Sequence, residues 1–573
     1  MLRPLAGLTA AVGGLLPTAA LACGGFFCSS TPVDQAAERI IFVQEDRDTV
    51  TSYVEIAYQG EPEGFAWIVP VPSVPELDVW HGGAFTAIDL ATGPQFQGNF
   101  GCFESDADGV PEAGGGEPPP NDGVDVLARE QVGPFDTVTI TSEDPRALVQ
   151  WLRENGYRVL PEMEPFVALY TAEGMKFLAM KLLPGQDVAS IQPIKMTYQA
   201  AGPAVPLRLT AVAAQLEMGV KVWVLGDQRY GAANVPGVAV NDADLVFDPW
   251  SFQTNYIPLV ARAVDAAGGH GFVTELATPT ADLARMVRES FVPEFAGQEG
   301  LDARDALADL LDSKPYLTRL YTRVSPEEMD VDPLFAPVEG GDVSNVHVVP
   351  EQPGDDVCNA PEAGDFDACA FAACGAAGAC ADVAPAVEGG RPQAGCGCAD
   401  GTLARAVPDA SAQGGVAVAC GDARMNFTTP ELAANDPLAG FAQACANTSC
   451  GDEGECVSLN GFPSCRCNAG FVAVGTRDDQ GVVSLTCAAP RDPAALDLNL
   501  AAITLREPEL PYPGRPEALP ITPHVPVVPG NGGPGMAAPA AEKDGCTAAP
   551  GSRATPAWLL GLLPLLAIRR RRH

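Results

Sequence analysis

Histidine is the side chain best suited to proton transfer near neutral pH, and the chain has five histidines. They are His81, His270, His347, His524 and His573. His81 and His270 adjoin glycine pairs, whose small size would let a substrate approach closely. Neither is part of a His-Glu-x-x-His zinc motif, and the sequence has no Gly-x-Ser-x-Gly or phosphate-binding loop. We therefore predict packed or solvated loop histidines and assign no catalytic residue.

Acidic and aromatic side chains give two further candidates for ligand binding. Asp106-Ala107-Asp108-Gly109 matches part of a calcium loop, but glycine and proline follow where more ligands would be needed. Several tryptophans could line a sugar-binding cleft, although their strand and helix positions favour core packing: Trp67, Trp80, Trp151, Trp223 and Trp250. We expect a solvated acidic loop and mostly buried tryptophans, and we predict neither a metal nor a cofactor.

Composition limits the class of protein. The chain has 573 residues, with 34 Lys and Arg against 73 Asp and Glu, for a formal charge of −39. A protein that binds nucleic-acid phosphates needs a basic surface, so this balance argues against a nucleic-acid partner. An apolar content of 47% is too high for a wholly disordered acidic chain, so at least one sizeable core is expected.

Both ends of the chain indicate export. Residues 1–22 have a basic start at Arg3, an apolar run and the small-residue site Ala20-Leu21-Ala22, which predicts a signal peptide cleaved before Cys23. At the other end, Cys546 precedes an apolar run over 554–568 and the basic cluster Arg569, Arg570, Arg571 and Arg572. That run would span about 22 Å as a helix, short of the bilayer core of about 30 Å.

This tail, 546–573, resembles the tripartite MYXO-CTERM type: a cysteine motif, a helix and an arginine cluster. The resemblance implies processing near Cys546 and display on the cell surface or outer membrane. The alternative is a simple C-terminal transmembrane helix, which also places the protein outside the cytoplasm. Ten prolines over 508–539 favour an extended polyproline segment, so we predict a stalk at 508–545.

Export permits disulfide bonds, and the last cysteine cluster has an informative spacing. Its members are Cys445, Cys450, Cys456, Cys465, Cys467 and Cys487. Together with Gly470 and Phe471 the cluster resembles an EGF-like module over 445–487. The resemblance implies the pairs Cys445–Cys456, Cys450–Cys465 and Cys467–Cys487, with a hairpin in the long final gap.

An earlier cluster repeats this spacing. Cys369, Cys374 and Cys380 each precede their counterparts by 76 residues, and Cys396, Cys398 and Cys420 complete the set. We interpret 369–420 as a second, degenerate EGF-like copy, with chance spacing as the alternative. Four other cysteines remain, namely Cys23, Cys28, Cys102 and Cys358. We expect disulfide bonds among them, with Cys23–Cys28 and Cys102–Cys358 as one pairing and cross-pairings equally allowed.

Residues 23–336 predict a large α+β domain that is mainly antiparallel and β-rich, followed by a linker at 337–368. Strands are predicted at 50–58, 65–69, 136–141, 175–183, 191–199, 207–213 and 220–225. Helices are predicted after the N-caps Asp144 and Thr280 and over 303–311. For the second of these helices we expect Leu283, Met286, Val287 and Phe291 to form the apolar face.

Several motifs in this region are specific. Cys23-Gly24-Gly25-Phe26-Phe27-Cys28, Glu38-Arg39-Ile40, Phe65-Ala66-Trp67-Ile68-Val69-Pro70 and Leu317-Thr318-Arg319-Leu320-Tyr321-Thr322-Arg323 occur in order. With them, 23–336 resembles the bacterial domain-of-unknown-function family 2330. That resemblance implies export but brings no catalytic residues.

The leading hypothesis is an exported, surface-anchored binding or structural protein. Its partner would be an extracellular protein or glycan, and its tail would contact the membrane. The alternative is an exported hydrolase or carbohydrate-acting enzyme that uses acidic residues within 23–336. A cleft with two convergent buried carboxyl groups would favour the enzyme.

Overall fold

The computed structural model describes residues 26–27, 35–56, 65–98, 125–248, 251–290, 297–350, 366–425 and 445–505, apart from short gaps inside these ranges. The predicted signal peptide, stalk and C-terminal tail lie outside the described residues. So do Cys23, Cys28, Cys102, Cys358 and the Asp106–Gly109 loop. Their assignments stay predictions.

The strands, in chain order, are β1 Phe26–Phe27, β2 Gln35–Gln44, β3 Thr49–Val54, β4 Ala66–Val71, β5 Glu76–Val79, β6 Gln95–Gln97, β7 Asp125–Val132, β8 Phe135–Thr141, β9 Lys176–Leu182, β10 Ile194–Gln199, β11 Ala214–Gly226, β12 Tyr230–Ala232, β13 Gly237–Val238, β14 Phe247–Asp248, β15 Gln253–Thr254, β16 Phe272–Pro279, β17 Tyr316–Val324, β18 Phe335–Pro337, β19 Val346–Val348, β20 Gly378–Val383, β21 Gln393–Cys398, β22 Thr402–Pro408, β23 Val416–Asp422, β24 Gly454–Leu459, β25 Phe462–Cys467, β26 Val472–Arg477 and β27 Val483–Ala488. The helices are α1 Gly82–Thr92, α2 Pro145–Glu154, α3 Glu164–Ala172, α4 Leu207–Thr210, α5 Tyr256–Ala266, α6 Thr280–Ser290, α7 Gly297–Asp312 and α8 Pro493–Ala501.

The first domain is built on an eight-stranded sheet in the order β13-β16-β17-β11-β2-β3-β10-β5. Its central strand β11 pairs antiparallel with β17 and parallel with β2. A β-bulge interrupts the β11–β2 register between Ala214 and Gly219. A second, five-stranded antiparallel sheet has the order β1-β4-β9-β8-β7.

The two faces of the large sheet bury different cores. On one face Trp223 and Leu225 pack against α1, α6 and α7. On the other, Val222 and Val224 join a larger core that includes the five-stranded sheet, α2 and α3. Both faces are covered, which explains why the central strand is apolar almost throughout rather than alternating.

The α+β class is confirmed, as are the strands at 50–58, 65–69, 136–141, 175–183, 191–199 and 220–225 within a few residues. The strand predicted at 207–213 is wrong. Residues Leu207–Thr210 form helix α4, with the Ala211 amide bonded to the Leu207 carbonyl. Pro203 and Pro206 have no amide hydrogen for a sheet ladder, which weakens a strand at this point.

The predicted helices are present, but α7 is longer than expected. Thr280 is the first residue of α6 rather than its cap, and its hydroxyl donates to the Lys314 carbonyl. Phe291 lies outside the described residues. Asp144 caps α2 through a hydrogen bond from the Arg146 amide. Met286 of α6 is exposed rather than on the apolar face. The predicted linker 337–368 is also wrong in part, because β19 within it pairs with β6 of the domain.

Residues 366–505, here called the disulfide domain, contain six disulfide bonds. They are Cys369–Cys380, Cys374–Cys396, Cys398–Cys420, Cys445–Cys456, Cys450–Cys465 and Cys467–Cys487. The last three are the pairs that the sequence resemblance implies. The first three repeat the same order within 369–420, here called copy 1, so the predicted internal repeat with 445–487, copy 2, is confirmed.

The two copies do not fold as separate modules. Strands β20 and β21 of copy 1 form a sheet with β26 and β27 of copy 2, and β22 and β23 form another with β24 and β25. The bridging pairs are Cys396 with Ala473 and Ala404 with Cys465. In each pair the fourth cysteine of one copy lies opposite an alanine of the other copy. The two cysteines are 69 residues apart in sequence, and so are the two alanines. The copies are therefore related by an internal pseudo-two-fold axis.

The described residues all belong to one compact unit, and the disulfide domain packs on the first domain. Leu216 of β11 is buried with Val407 and Ala419 of copy 1. The Arg391 guanidinium donates to both carboxylate oxygens of Asp248, at 3.0 and 2.9 Å. The two domains therefore share an interface with both apolar contacts and ion pairs. Among the described residues, no helix is long and apolar enough to cross a membrane.

Candidate functional site

A cleft of about 570 Å³ lies where copy 1 of the disulfide domain meets the first domain. The first domain contributes the end of α5 and a short 3₁₀ helix at Pro326–Glu328, after β17. Copy 1 contributes the loop 374–378. We call this the interdomain cleft. The cleft is thus formed by two helical elements of the first domain and one cysteine-bridged loop of copy 1.

Four acidic residues lie in or directly behind the interdomain cleft, and we call them the carboxyl cluster: Glu217, Asp265, Glu327 and Glu328. Asp265, Glu327 and Glu328 line the cleft directly. Glu217 lies behind Gly375 of copy 1, close enough that a Cβ on that glycine would be 3.2 Å from its Oε1. Residues far apart in sequence are therefore neighbours here.

The bulge in β11 directs Glu217 into the interface. Glu217 has a left-handed φ of 55°, and its amide donates to the Ser325 Oγ at 3.1 Å. The residue is 3% exposed, and neither of its carboxyl oxygens has a partner at full hydrogen-bond geometry, although the nearby Ser325 hydroxyl lowers its pKa. A buried carboxyl group without a partner is rare, because such a group loses its hydration without compensation.

In each of the other three carboxyl groups, one oxygen accepts a hydrogen bond and the other has no partner. Glu328 Oε2 accepts from the Ser325 amide at 2.8 Å, and Glu327 Oε1 accepts from the Asp422 amide at 3.3 Å. Asp265 has a hydrogen bond with the backbone amide of Ala376 in copy 1. The second oxygens, Glu327 Oε2 and Glu328 Oε1, and the Asp265 Oδ1 have no partner.

Burial raises the pKa of every member of the carboxyl cluster. It raises the pKa of Glu327 to about 7 and those of Asp265 and Glu328 well above the usual range. The pKa of Glu217 is raised by the same cause. Repulsion adds to desolvation, since Glu217 and Glu327 also raise the pKa of Asp265.

The nearby cations have other partners. Arg323 forms an ion pair with Asp409 of copy 1 at 3.0 Å, although its charge also lowers the pKa of Glu217. Arg262 donates to the Ala370 carbonyl. The carboxyl cluster therefore has more acidic groups than neighbouring cationic side chains.

The histidines considered in the sequence analysis do not line the interdomain cleft, and two of them pair with carboxylates. His270 pairs with Asp330 at 2.5 Å, and His347 pairs with Asp242 at 2.7 Å. His81 precedes α1 and makes no capping bond with its side chain. His524 and His573 are outside the described residues. No histidine contributes to the described lining of the interdomain cleft.

The tryptophans do not form a sugar-binding cleft in the described structure. Trp67, Trp151 and Trp223 are at most 2% exposed, as core packing predicts. Trp80 packs on Tyr53 with ring centroids 4.5 Å apart. Trp250 is outside the described residues.

Sequence reasoning did not find the carboxyl cluster. Its members lie on three separate segments, and none has a motif around it. One signal could have pointed to Glu217: it precedes Met218-Gly219 inside an apolar strand, where a charged residue is unexpected. Within the described chain, no three His, Cys, Asp or Glu side chains are arranged to hold a metal ion.

Comparison with known proteins gives one match. No curated protein and no solved structure is similar to the chain. Residues 17–335 match the model of a family described as an uncharacterized protein conserved in bacteria (DUF2330), and that match covers more than half of the chain. The chain therefore belongs to the DUF2330 family.

Proposed function

We propose that this protein is an exported, surface-anchored binding protein whose ligand site is the interdomain cleft. The observation that carries the proposal is the group of three carboxyl side chains, Asp265, Glu327 and Glu328, that line a cleft closed by copy 1, with the buried Glu217 directly behind them. A site assembled from two packed domains is a common location for ligand binding. The proposed partner of this protein is an extracellular protein or glycan at the cell surface.

Binding is favoured over hydrolysis because of the direction of the pKa changes. A carboxyl pair that does acid–base chemistry needs one group kept protonated and the other ionised, so their environments must differ. Here burial raises the pKa of all four groups. A raised pKa at all four groups suits a site that exchanges protons for a positively charged ligand.

The two cysteine-bridged copies are proposed to be EGF-like modules. The order of their disulfide bonds and the positive-φ glycines Gly375 and Gly451 after the second cysteine support this. Their shared sheets would make them one rigid body rather than a flexible string. Six bridges also suit an oxidising compartment outside the cytoplasm.

Anchoring is proposed to depend on the tail 546–573. The test is to replace Cys546 by Ser and to delete Arg569 to Arg572 in separate variants of the full chain. The expected result is that both variants leave the cell envelope fraction and appear in the medium. Unchanged retention on the envelope would contradict the anchoring proposal, and a Ser449→Ala variant serves as a matched surface control.

A hydrolase is the second candidate, because the interdomain cleft does contain convergent buried carboxyl groups. Its test is the release of reducing sugar from cell-surface polysaccharides by the purified mature protein and by Glu327→Gln and Glu328→Gln variants. Activity in the wild type that is lost in both variants would support the enzyme and overturn the binding proposal. No activity in any of the three proteins is the result that we expect.

A further inference from the structure

We propose that the interdomain cleft binds a primary ammonium group carried on a short alkyl chain. This proposal deepens the proposed binding function and rests on it. The ammonium would come either from a free aliphatic diamine or from a lysine side chain of a peptide, since both present the same group.

The carboxyl cluster supplies acceptors that the protein itself leaves unused. Five oxygens there have no hydrogen-bond partner: Glu217 Oε1 and Oε2, Asp265 Oδ1, Glu327 Oε2 and Glu328 Oε1. Glu217 and Glu328 are 3% and 8% exposed, so water cannot freely replace a partner. An ammonium group has three donors and no acceptor, which matches these carboxyl oxygens once binding has ionised the groups.

The charge balance favours a cation. Asp422, which also lines the interdomain cleft, is bound by its own Arg424, and Arg323 is bound by Asp409. Arg262 lies at the cleft and donates to a carbonyl of copy 1. Four carboxyl groups thus share two neighbouring guanidinium groups, Arg323 and Arg262, both of which also bind elsewhere. A bound ammonium would stabilise the ionised forms of these carboxyl groups.

The rest of the interdomain cleft suits an alkyl chain rather than a bare ion. Its copy 1 wall is formed by small residues, including Ala372, Gly375, Ala376, Ala377 and Gly378. Its volume of about 570 Å³ is that of an organic ligand site. Calcium requires six to eight oxygens around one point. The described side chains offer no such group of three or more acidic ligands.

The test is isothermal titration calorimetry of the mature full-length protein at pH 7 with putrescine and with Nα-acetyl-lysine amide. We expect binding of at least one probe, with protons released to the buffer, because ammonium binding ionises carboxyl groups that are protonated when free. Titration in two buffers of different ionisation enthalpy measures that release. The two probes distinguish the free diamine from the lysine side chain.

Two isosteric variants and one control complete the test. Glu217→Gln and Glu328→Gln should each raise the Kd by roughly tenfold or more, since each removes a charged acceptor. Glu455→Gln, on the exposed surface of copy 2, should leave the Kd unchanged. Thermal melting of each variant checks that it is folded before its Kd is compared.

Two results would overturn this inference. One is the absence of binding for both probes, including the case in which calcium chloride binds instead. The other is binding that both glutamine variants retain at wild-type strength. Either result leaves the binding function itself open, whereas sugar release that depends on Glu327 and Glu328 would overturn the function.

Discussion

Glu217 has a left-handed backbone conformation that residues other than glycine rarely adopt. The conformation costs about 1–2 kcal/mol for a residue with a Cβ. The same residue buries a carboxyl group whose oxygens have no partner. Two unfavourable features at one position show that Glu217 does not stabilise the fold, and a strained, unsatisfied residue of this kind agrees with the binding role proposed for it.

Replacing Glu217 should therefore stabilise the fold. We expect Glu217→Gly to raise the free energy of unfolding by about 1 kcal/mol, because it relieves the backbone and removes the buried acid. Urea denaturation of the mature protein measures the change. Glu217→Gln, which keeps the backbone strain, should gain less, and a glycine variant less stable than wild type would contradict the argument.

The carboxyl cluster also makes stability depend on pH. For an acid whose pKa is raised on folding, the stabilisation is complete below its ordinary pKa and is lost as pH rises through the folded value. For Glu327 that window runs from 4.5 to about 7, and Glu217, Asp265 and Glu328 act in the same direction.

We accordingly expect Glu327→Gln to become relatively more stable than wild type as pH rises from 5 to 8. Melting temperatures measured side by side across this range give the difference, in which the contributions of distant titrating groups cancel. Exposed Glu455→Gln should track the wild type throughout. A pH-independent difference between Glu327→Gln and wild type would show that Glu327 has the same pKa in both states.

At the scale of elements, the disulfide domain is held together by two sheets that each contain strands of both copies. Ala404 pairs with Cys465, and Ala473 pairs with Cys396. All four residues are at most 2% exposed and belong to one core with the bridges. Only a small side chain fits between a strand and the disulfide of the opposite copy.

The internal pseudo-two-fold predicts matched effects at these two alanines. Ala404→Leu and Ala473→Leu should each destabilise the protein by about 1–3 kcal/mol through overpacking, and by similar amounts. Chemical denaturation under non-reducing conditions is the measurement. Ala501→Leu, at the exposed end of α8, should have little effect. A large cost at one alanine and none at the other would argue against equivalent copies.

At the scale of the whole molecule, the disulfide domain completes the core of the first domain. Leu216 is 3% exposed beneath Val407 and Ala419, and Met425 is part of the main core. The ion pairs Arg323–Asp409 and Arg391–Asp248 cross the same interface. The two parts are therefore expected to unfold as one cooperative unit.

A chain ending at residue 365 should consequently be less stable and more apolar on its surface. We expect a lower melting temperature than that of the mature protein and increased binding of a hydrophobic dye, because Leu216 loses its cover. Adding Leu216→Ser to the truncated chain should reduce the dye signal. Equal melting temperatures for the truncated and mature chains would mean that the domains are energetically independent.

Much of the local structure could be predicted from residue order alone. The cap at Asp144, six of the seven predicted strands and the repeated cysteine spacing depend on neighbours a few residues apart, and the structure confirms them. The exceptions are instructive. Residues 207–213 have strand-like composition, yet tertiary packing buries a helical turn there. Residues 346–348 pair with β6, although the sequence predicts a linker there.

By itself, the amino-acid sequence determined the acidic balance, the family motifs and the cysteine repeat, because each is a property of composition or of short spacing. Only the tertiary structure decided that the two cysteine-bridged copies share sheets and that one of them covers the carboxyl cluster. Glu217, Asp265 and Glu328 become neighbours of Gly375 and Ala376 through the packing of β11, α5 and copy 1. Such long-range contacts follow from how cores pack, which no local pattern encodes.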